Sequence, residues 1–246
     1  MSLIKYLITE RIIHHSSIED MVEYLRDNNI NVSEKVDYYI DSGANGDVYS
    51  VDGSNKVLKI ERFHNELFNI NKKLSEIQSD NIVNYYFVKR AGDFIISVME
   101  YLKPSADYIN YRDKFFETFI MFIEDALRSD HNFMTYKDTN VYSARRILLN
   151  NNFNEDLVDK LINEFNTGDE ILLRCILTVI LKKRYQIGDN DIFLEDVINN
   201  KKFISDIFYG LNDIMDEDIK HGDVHVDNVL YDERTQNFKL IDPWVL

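Results

Sequence analysis

From residue 36 to about residue 102 the apolar runs are short and bounded by turn residues, and beyond that they lengthen and take helical spacing. That pattern predicts strands first and helices after. Val36 to Ile40 reads as a strand, Val48-Tyr49-Ser50-Val51 as a second and Lys56-Val57-Leu58-Lys59-Ile60 as a third. Gly43-Ala44-Asn45-Gly46 and Asp52-Gly53-Ser54-Asn55 are the turns between them. A helical segment then runs to about Ile77, and Asn81-Ile82-Val83 opens another strand. Further on, Tyr111 to Leu127 places Phe115, Phe119, Phe122 and Ile123 on one side of a helix. Asn154 to Phe165 and Asp169 to Lys182 predict two more. Glu195 to Met215 predicts a last helix or a pair, with Phe203, Ile207, Phe208, Leu211 and Ile214 inward. The fold class is α+β, a small antiparallel sheet followed by a mostly helical part.

Residues 1–35 stand apart as a helical extension. Leu3 to Ile13 has helical spacing, and Ser16-Ser17-Ile18-Glu19 has the spacing of a capping box. Met21, Val22, Tyr24 and Leu25 continue it as an amphipathic helix ending near Asn28-Asn29, which would brace the sheet.

A length of 246 residues with 45% hydrophobic and 13% aromatic side chains suits one two-lobed domain or a small pair, with an ample core. The net charge of -15 excludes nucleic acid and anionic membranes as expected partners, since both need clustered cations. It suits a basic protein segment or a cationic small molecule, although solubility alone also accounts for it. Cys175 is the single cysteine, so neither a disulfide nor a thiolate metal site is available. No run approaches the roughly 20 apolar residues of a membrane helix, and no secretion signal opens the chain. A cytoplasmic location is expected. His14-His15 would point to different faces of a helix and read as surface residues.

The chemistry concentrates in His221-Gly222-Asp223-Val224-His225-Val226-Asp227-Asn228 and in Leu240-Ile241-Asp242-Pro243. An aspartate, an asparagine five residues on and a second aspartate ending a strand can accept a hydroxyl proton and hold magnesium on a nucleotide triphosphate. Upstream, the Gly43–Gly46 turn can offer backbone amides to phosphates, and Lys59 can reach them if a carboxylate holds its ammonium. Glu66 is the expected carboxylate. Glu76 lies on the same helical segment, but the spacing to Asn81-Ile82-Val83 favours Glu66. Taken singly, each has a plain structural reading: a hairpin turn, a solvated lysine, a histidine that supports a loop.

In their order these motifs resemble the protein-kinase-like superfamily. Asp41 to Tyr49 resembles its glycine-rich loop, Val57 to Lys59 the strand of its ATP lysine, and Glu66 its ion-pair glutamate. Asp80-Asn81-Ile82-Val83 resembles the segment before its fourth strand, and Val98-Met99-Glu100-Tyr101-Leu102 its hinge, with Met99 as gatekeeper and Glu100 and Leu102 beside adenine. The resemblance implies a two-lobed fold, with residues 36–102 as the sheet lobe and 103–246 as a truncated helical lobe. It implies ATP bound by Gly43, Ala44, Asn45, Gly46, Lys59 and Glu66, and magnesium on Asn228 and Asp242. Asp223 would be the catalytic base, with His225 on the γ-phosphate or the acceptor.

The departures narrow the type. Asp41 stands at the first loop glycine, Pro243-Trp244 replaces the usual Phe-Gly, and His225 replaces the lysine usual in serine/threonine protein kinases. The string H-G-D-V-H-V-D-N is closer to aminoglycoside phosphotransferases, choline-kinase relatives and small phage-encoded protein kinases. The chain ends four residues after Asp242, so control through an activation loop is not expected. The expected function is transfer of the γ-phosphate of ATP to a serine or threonine of a protein. A small-molecule kinase is the alternative, and a non-catalytic kinase-like binding module the second.

Overall fold

The computed structural model describes residues 23, 27, 31–35, 46–52, 54–105, 123, 141–165, 170–183, 190–217, 219 and 228–241. The predicted strand Val36 to Ile40, loop residues Gly43, Ala44 and Asn45, and all but Ile123 of the helix from Tyr111 to Leu127 lie outside them. So do Asp223, His225 and Asp242.

The described part is mixed α+β. Strands β1 (Asn31–Lys35), β2 (Gly46–Asp52), β3 (Lys56–Arg62), β4 (Tyr85–Ala91) and β5 (Phe94–Glu100) form an antiparallel sheet in the order β1-β2-β3-β5-β4. β3 and β5 are central because both of their faces are apolar: Val57, Leu58, Ile60, Ile95, Ile96, Val98 and Met99 are all buried. Gly92, at φ 62°, makes the tight turn between β4 and β5. Helix α1 (Asn65–Leu74) buries Ile70, Asn71 and Leu74, with Glu66 in its first turn and Lys72 and Lys73 in its last, where they complement the helix dipole.

A second sheet is built from β6 (Lys103–Pro104), β7 (Val229–Asp232) and β8 (Asn237–Leu240), with β7 in the middle. The helices are α2 (Val141–Asn150), α3 (Glu155–Phe165), α4 (Glu170–Lys183), α5 (Asn190–Asn199) and α6 (Lys201–Asp216). Asn154 caps α3 by accepting the Leu157 N–H on its side-chain oxygen at 3.2 Å. α4 is apolar nearly all round and buried from Leu172 to Ile180 apart from Arg174, with Cys175 fully enclosed. Burial pushes the Cys175 thiol up, so it stays protonated and unreactive.

Four details differ from the sequence reading. Asn31–Lys35 form the edge strand β1 rather than the end of a helical extension, while Glu23 and Asp27 before them are helical. Gly46 is the first residue of β2, not part of a turn. Asn81-Ile82-Val83 does not open β4, which starts at Tyr85. The segment pairs with β8 instead: Ile82 forms a parallel bridge to Leu240, Val83 N–H donates to Leu240 O at 3.0 Å, and Leu240 N–H donates to Asn81 O at 2.9 Å. Ile82 and Val83 gain burial there that an edge position would not supply. Finally, α2 has no counterpart in the sequence reading, because it carries only two buried residues, Ala144 and Leu148, too few to show as a stripe; the stretch from Glu195 to Met215 takes the second of its two expected forms, a pair of helices parted at Asn200.

Candidate active site

Lys59 sits mid-strand on β3, opposite Val48 of β2 and Ser97 of β5. Directly opposed residues share a face, so Lys59, Val48 and Ser97 form one row across the sheet. The next row is Gly46, Glu61 and Ile95, and the row on the other side contains Val57 and Met99. Side chains two apart on a strand point the same way. Lys59 and Glu61 therefore meet without help from any other element: Lys59 Nζ lies 2.8 Å from Glu61 Oε1, and both side chains are about 95% buried. Glu61 Oε2 accepts a hydrogen bond from Asn71 Nδ2 of α1 at 3.1 Å. Ser97 Oγ is buried in the lysine row with no hydrogen-bond partner among the described residues, a polar atom that a ligand beside Lys59 would satisfy.

The expected pairing of Lys59 with Glu66 is not made. Glu66 is exposed in the first turn of α1. The reason is local: Glu61 is already on the lysine's face of the strand, whereas Glu66 follows the turn into the helix.

Glu100 ends β5 with its side chain fully buried in a set of ionic partners. Its Oε1 accepts from Lys239 Nζ at 2.7 Å, from Asn84 N–H at 2.9 Å and from Asn84 Nδ2 at 3.0 Å, and its Oε2 accepts from Arg234 at 3.1 Å. Arg234 also binds both oxygens of Asp232 at 3.0 Å, a bidentate fork. Burial acts to raise the Asp232 carboxyl, but bonds from the Arg234 side chain and backbone and the nearby Lys239 charge hold it down to about 2. The buried carboxylates of Glu100 and Asp232 are thus balanced by the buried Lys239 ammonium and by the Arg234 guanidinium, whose side chain reaches solvent. Beyond Glu100 the chain leaves the first sheet: Tyr101 N–H donates to Asn55 O at 2.9 Å, Leu102 is buried, and Lys103 pairs with Tyr231 in the second sheet. The predicted hinge is the strand-to-strand crossover between the two sheets.

The β7–β8 hairpin positions one of the two predicted metal ligands, Asn228, while Asp242 lies outside the described residues. Val229 pairs with Leu240, and Ile241 N–H donates to Asn228 O at 3.0 Å. Asn228, which is buried, therefore lies across from the residue that directly precedes Asp242. The hairpin is seated on α6 through Asp206, whose Oδ2 accepts the Phe238 N–H at 2.8 Å while Lys202 Nζ binds both carboxylate oxygens at 2.8 and 2.9 Å. Burial pushes the Asp206 carboxyl up, and those bonds oppose it. Phe203 and Phe238 meet edge-on, 4.9 Å between ring centres.

The sequence reading therefore names Lys59, Glu100 and Leu102 on the elements expected for them and misses Glu61, Asp232, Arg234 and Lys239. A signal for Glu61 is present, because Leu58-Lys59-Ile60-Glu61 alternates apolar and charged residues and puts Lys59 and Glu61 on one face. None exists for Arg234 and Lys239, whose shared partner Glu100 is more than 130 residues away, nor for Asp232, which joins the group through them. Among the described residues, no helix is long and apolar enough to cross a membrane.

Neither the protein-family models nor the curated proteins contain a match to this chain. Among solved structures, the crystal structure of Rad53 1-466 in complex with AMP-PNP is similar over 87% of this chain, with a TM-score of 0.36 and 12% identity. This chain spans 38% of that one. At that level the likeness adds nothing to what the residues themselves support.

Proposed function

We propose that this chain is an ATP- and magnesium-dependent phosphotransferase that moves the γ-phosphate to a serine or threonine hydroxyl of a protein. The observation that supports the reading is the hairpin register: Ile241 N–H donates to Asn228 O, so the proposed metal ligand Asn228 lies across the hairpin from the residue that precedes Asp242 in sequence. Residues 36–102 would form the nucleotide lobe and 103–246 the helical lobe. The residues fit the cofactors on two counts: Asn228 is buried at the hairpin end, and a buried lysine row holds an unsatisfied hydroxyl at Ser97.

Lys59 and the amides of Gly43 to Gly46 would hold the triphosphate in place, and Glu100 and Leu102 would border the adenine through the crossover backbone. Asn228 and Asp242 would hold magnesium, which when bound neutralises charge on phosphate oxygens. Asp223 would accept the acceptor's proton as the hydroxyl oxygen bonds to the γ-phosphorus and the bond to the bridging oxygen breaks, releasing ADP. His225 would contact the γ-phosphate or the acceptor. The negative charge of the chain favours a basic protein segment as acceptor.

Incubation with magnesium and γ-labelled ATP, with and without cell extract, tests this beside Asp223→Ala. Label in protein bands that disappears in Asp223→Ala is the expected result. Label confined to small molecules would move the acceptor to a metabolite or antibiotic, the reading that His221-Gly222-Asp223-Val224-His225 favours. ATP binding without any transfer would reduce the chain to a nucleotide-binding module.

A further inference from the structure

We propose that Glu61, rather than Glu66, is the residue that positions Lys59 for the nucleotide, and that Asn71 ties this pair to helix α1; the proposal rests on the phosphotransferase reading. Three observations converge. Lys59 and Glu61 are in contact at 2.8 Å with both side chains buried, so the pair is shielded from competing water and salt. The second oxygen of Glu61 is held by Asn71, itself buried in α1. Gly46, where the predicted phosphate loop re-enters the sheet, lies directly opposite Glu61 in register and adds no side chain on that face.

The arrangement differs in kind from a lysine held by a helix glutamate. A carboxylate two residues along the same strand is aimed by the backbone of β3, so the lysine keeps its orientation without depending on the rotation of α1. The helix enters only through the Asn71 amide. Glu66, exposed in the first turn, complements the helix dipole and leaves the lysine alone.

The test uses the full chain with Glu61→Gln, Glu61→Asp and Glu66→Gln. Two readouts are taken: kcat and KM for ATP, and the pH at which the Lys59 amine reacts with an acylating reagent, followed by peptide mass spectrometry. Glu61→Gln is expected to raise the KM for ATP roughly tenfold, the equivalent of about 1.4 kcal/mol, with a smaller loss in kcat. Lys59 should then be acylated at lower pH, because the Glu61 charge that favours the ammonium form is gone. Glu61→Asp, which keeps the charge on a shorter arm, should recover part of both and serves where Glu61→Gln does not fold. Glu66→Gln should match the parent in both. An unchanged or lowered KM in Glu61→Gln, or a shift in Lys59 acylation in Glu66→Gln alone, overturns the proposal. Acylation needs no phosphotransfer, so a parent protein that transfers no label while still showing the Glu61-dependent shift refutes the kinase reading and not the pairing.

Discussion

Two buried lysine–glutamate pairs sit in this protein at nearly the same distance, 2.8 Å for Lys59 with Glu61 and 2.7 Å for Lys239 with Glu100. They are built differently. The first joins residues two apart on one strand, and its outer support, Asn71, is only ten residues from Glu61. The second joins residues 139 apart and adds Arg234, Asp232 and Asn84 around the same carboxylate. A pair of the first kind forms whenever β3 forms, so it is suited to orienting a functional cation. A pair of the second kind exists only once the five-stranded sheet and the β7–β8 hairpin have met. The first therefore reports local geometry, and the second reports tertiary closure.

The largest stability effect should come from breaking the long-range group. Glu100→Gln leaves Lys239 and Arg234 with Asp232 as their nearest remaining anion, and is expected to cost about 3 kcal/mol, read from the urea midpoint. A loss under about 1 kcal/mol would mean that the group is screened like a surface pair, and the contrast with Lys59 would collapse. Next comes Gly210 of α6, where an added Cβ would stand 2.6 Å from Asn81 O and 2.9 Å from Leu240 Cδ1. Gly210→Ala would push the 81–83 segment off β8. The expected cost is about 1–2 kcal/mol, overpacking of up to about 3 offset by the better helix propensity of alanine.

A smaller effect concerns pH. The Asp232 carboxyl is held down to about 2 against an ordinary 3.8. Its charged form is thus favoured by folding, so its contribution is complete above about pH 4 and is lost as pH falls toward 2. Melting temperature should drop less steeply between pH 4 and 2.5 in Asp232→Asn than in the parent; parallel curves would mean that the Arg234 fork does not favour the charged form. Smallest of all is Lys103 with Glu233, 2.8 Å apart but about half exposed on both sides. Lys103→Ala should change stability by less than about 0.5 kcal/mol in denaturant titrations.

Much of the candidate site is legible along the chain because its parts lie in short stretches with strong local preferences. Lys59 falls in a strand whose apolar neighbours leave no other reading, and Leu240-Ile241 ends a strand beside Asn228 because a hairpin joins them. Spacing to the next expected strand points to Glu66, whereas the two-residue period of β3 places a carboxylate, Glu61, beside the lysine. β1 gives no strand signal because Asn-Val-Ser-Glu-Lys is mostly polar, as an edge strand with one open side can be. The apolar run at 81–83 predicts a strand but does not say which strand it will join, and it pairs with β8 rather than opening β4.

The sequence alone determined the α+β class and the succession of a strand-rich part by a helical one, since both follow from periodicity within a few turns of chain, and it nominated the residues proposed for phosphate, magnesium and a reacting hydroxyl. Only the tertiary structure decided which carboxylate meets Lys59, that Glu100 turns its side chain into a four-charge group, and that residues 81–83 pair with β8. Those outcomes depend on which distant surfaces come together to bury apolar area and cancel charge, and no local spacing encodes that choice.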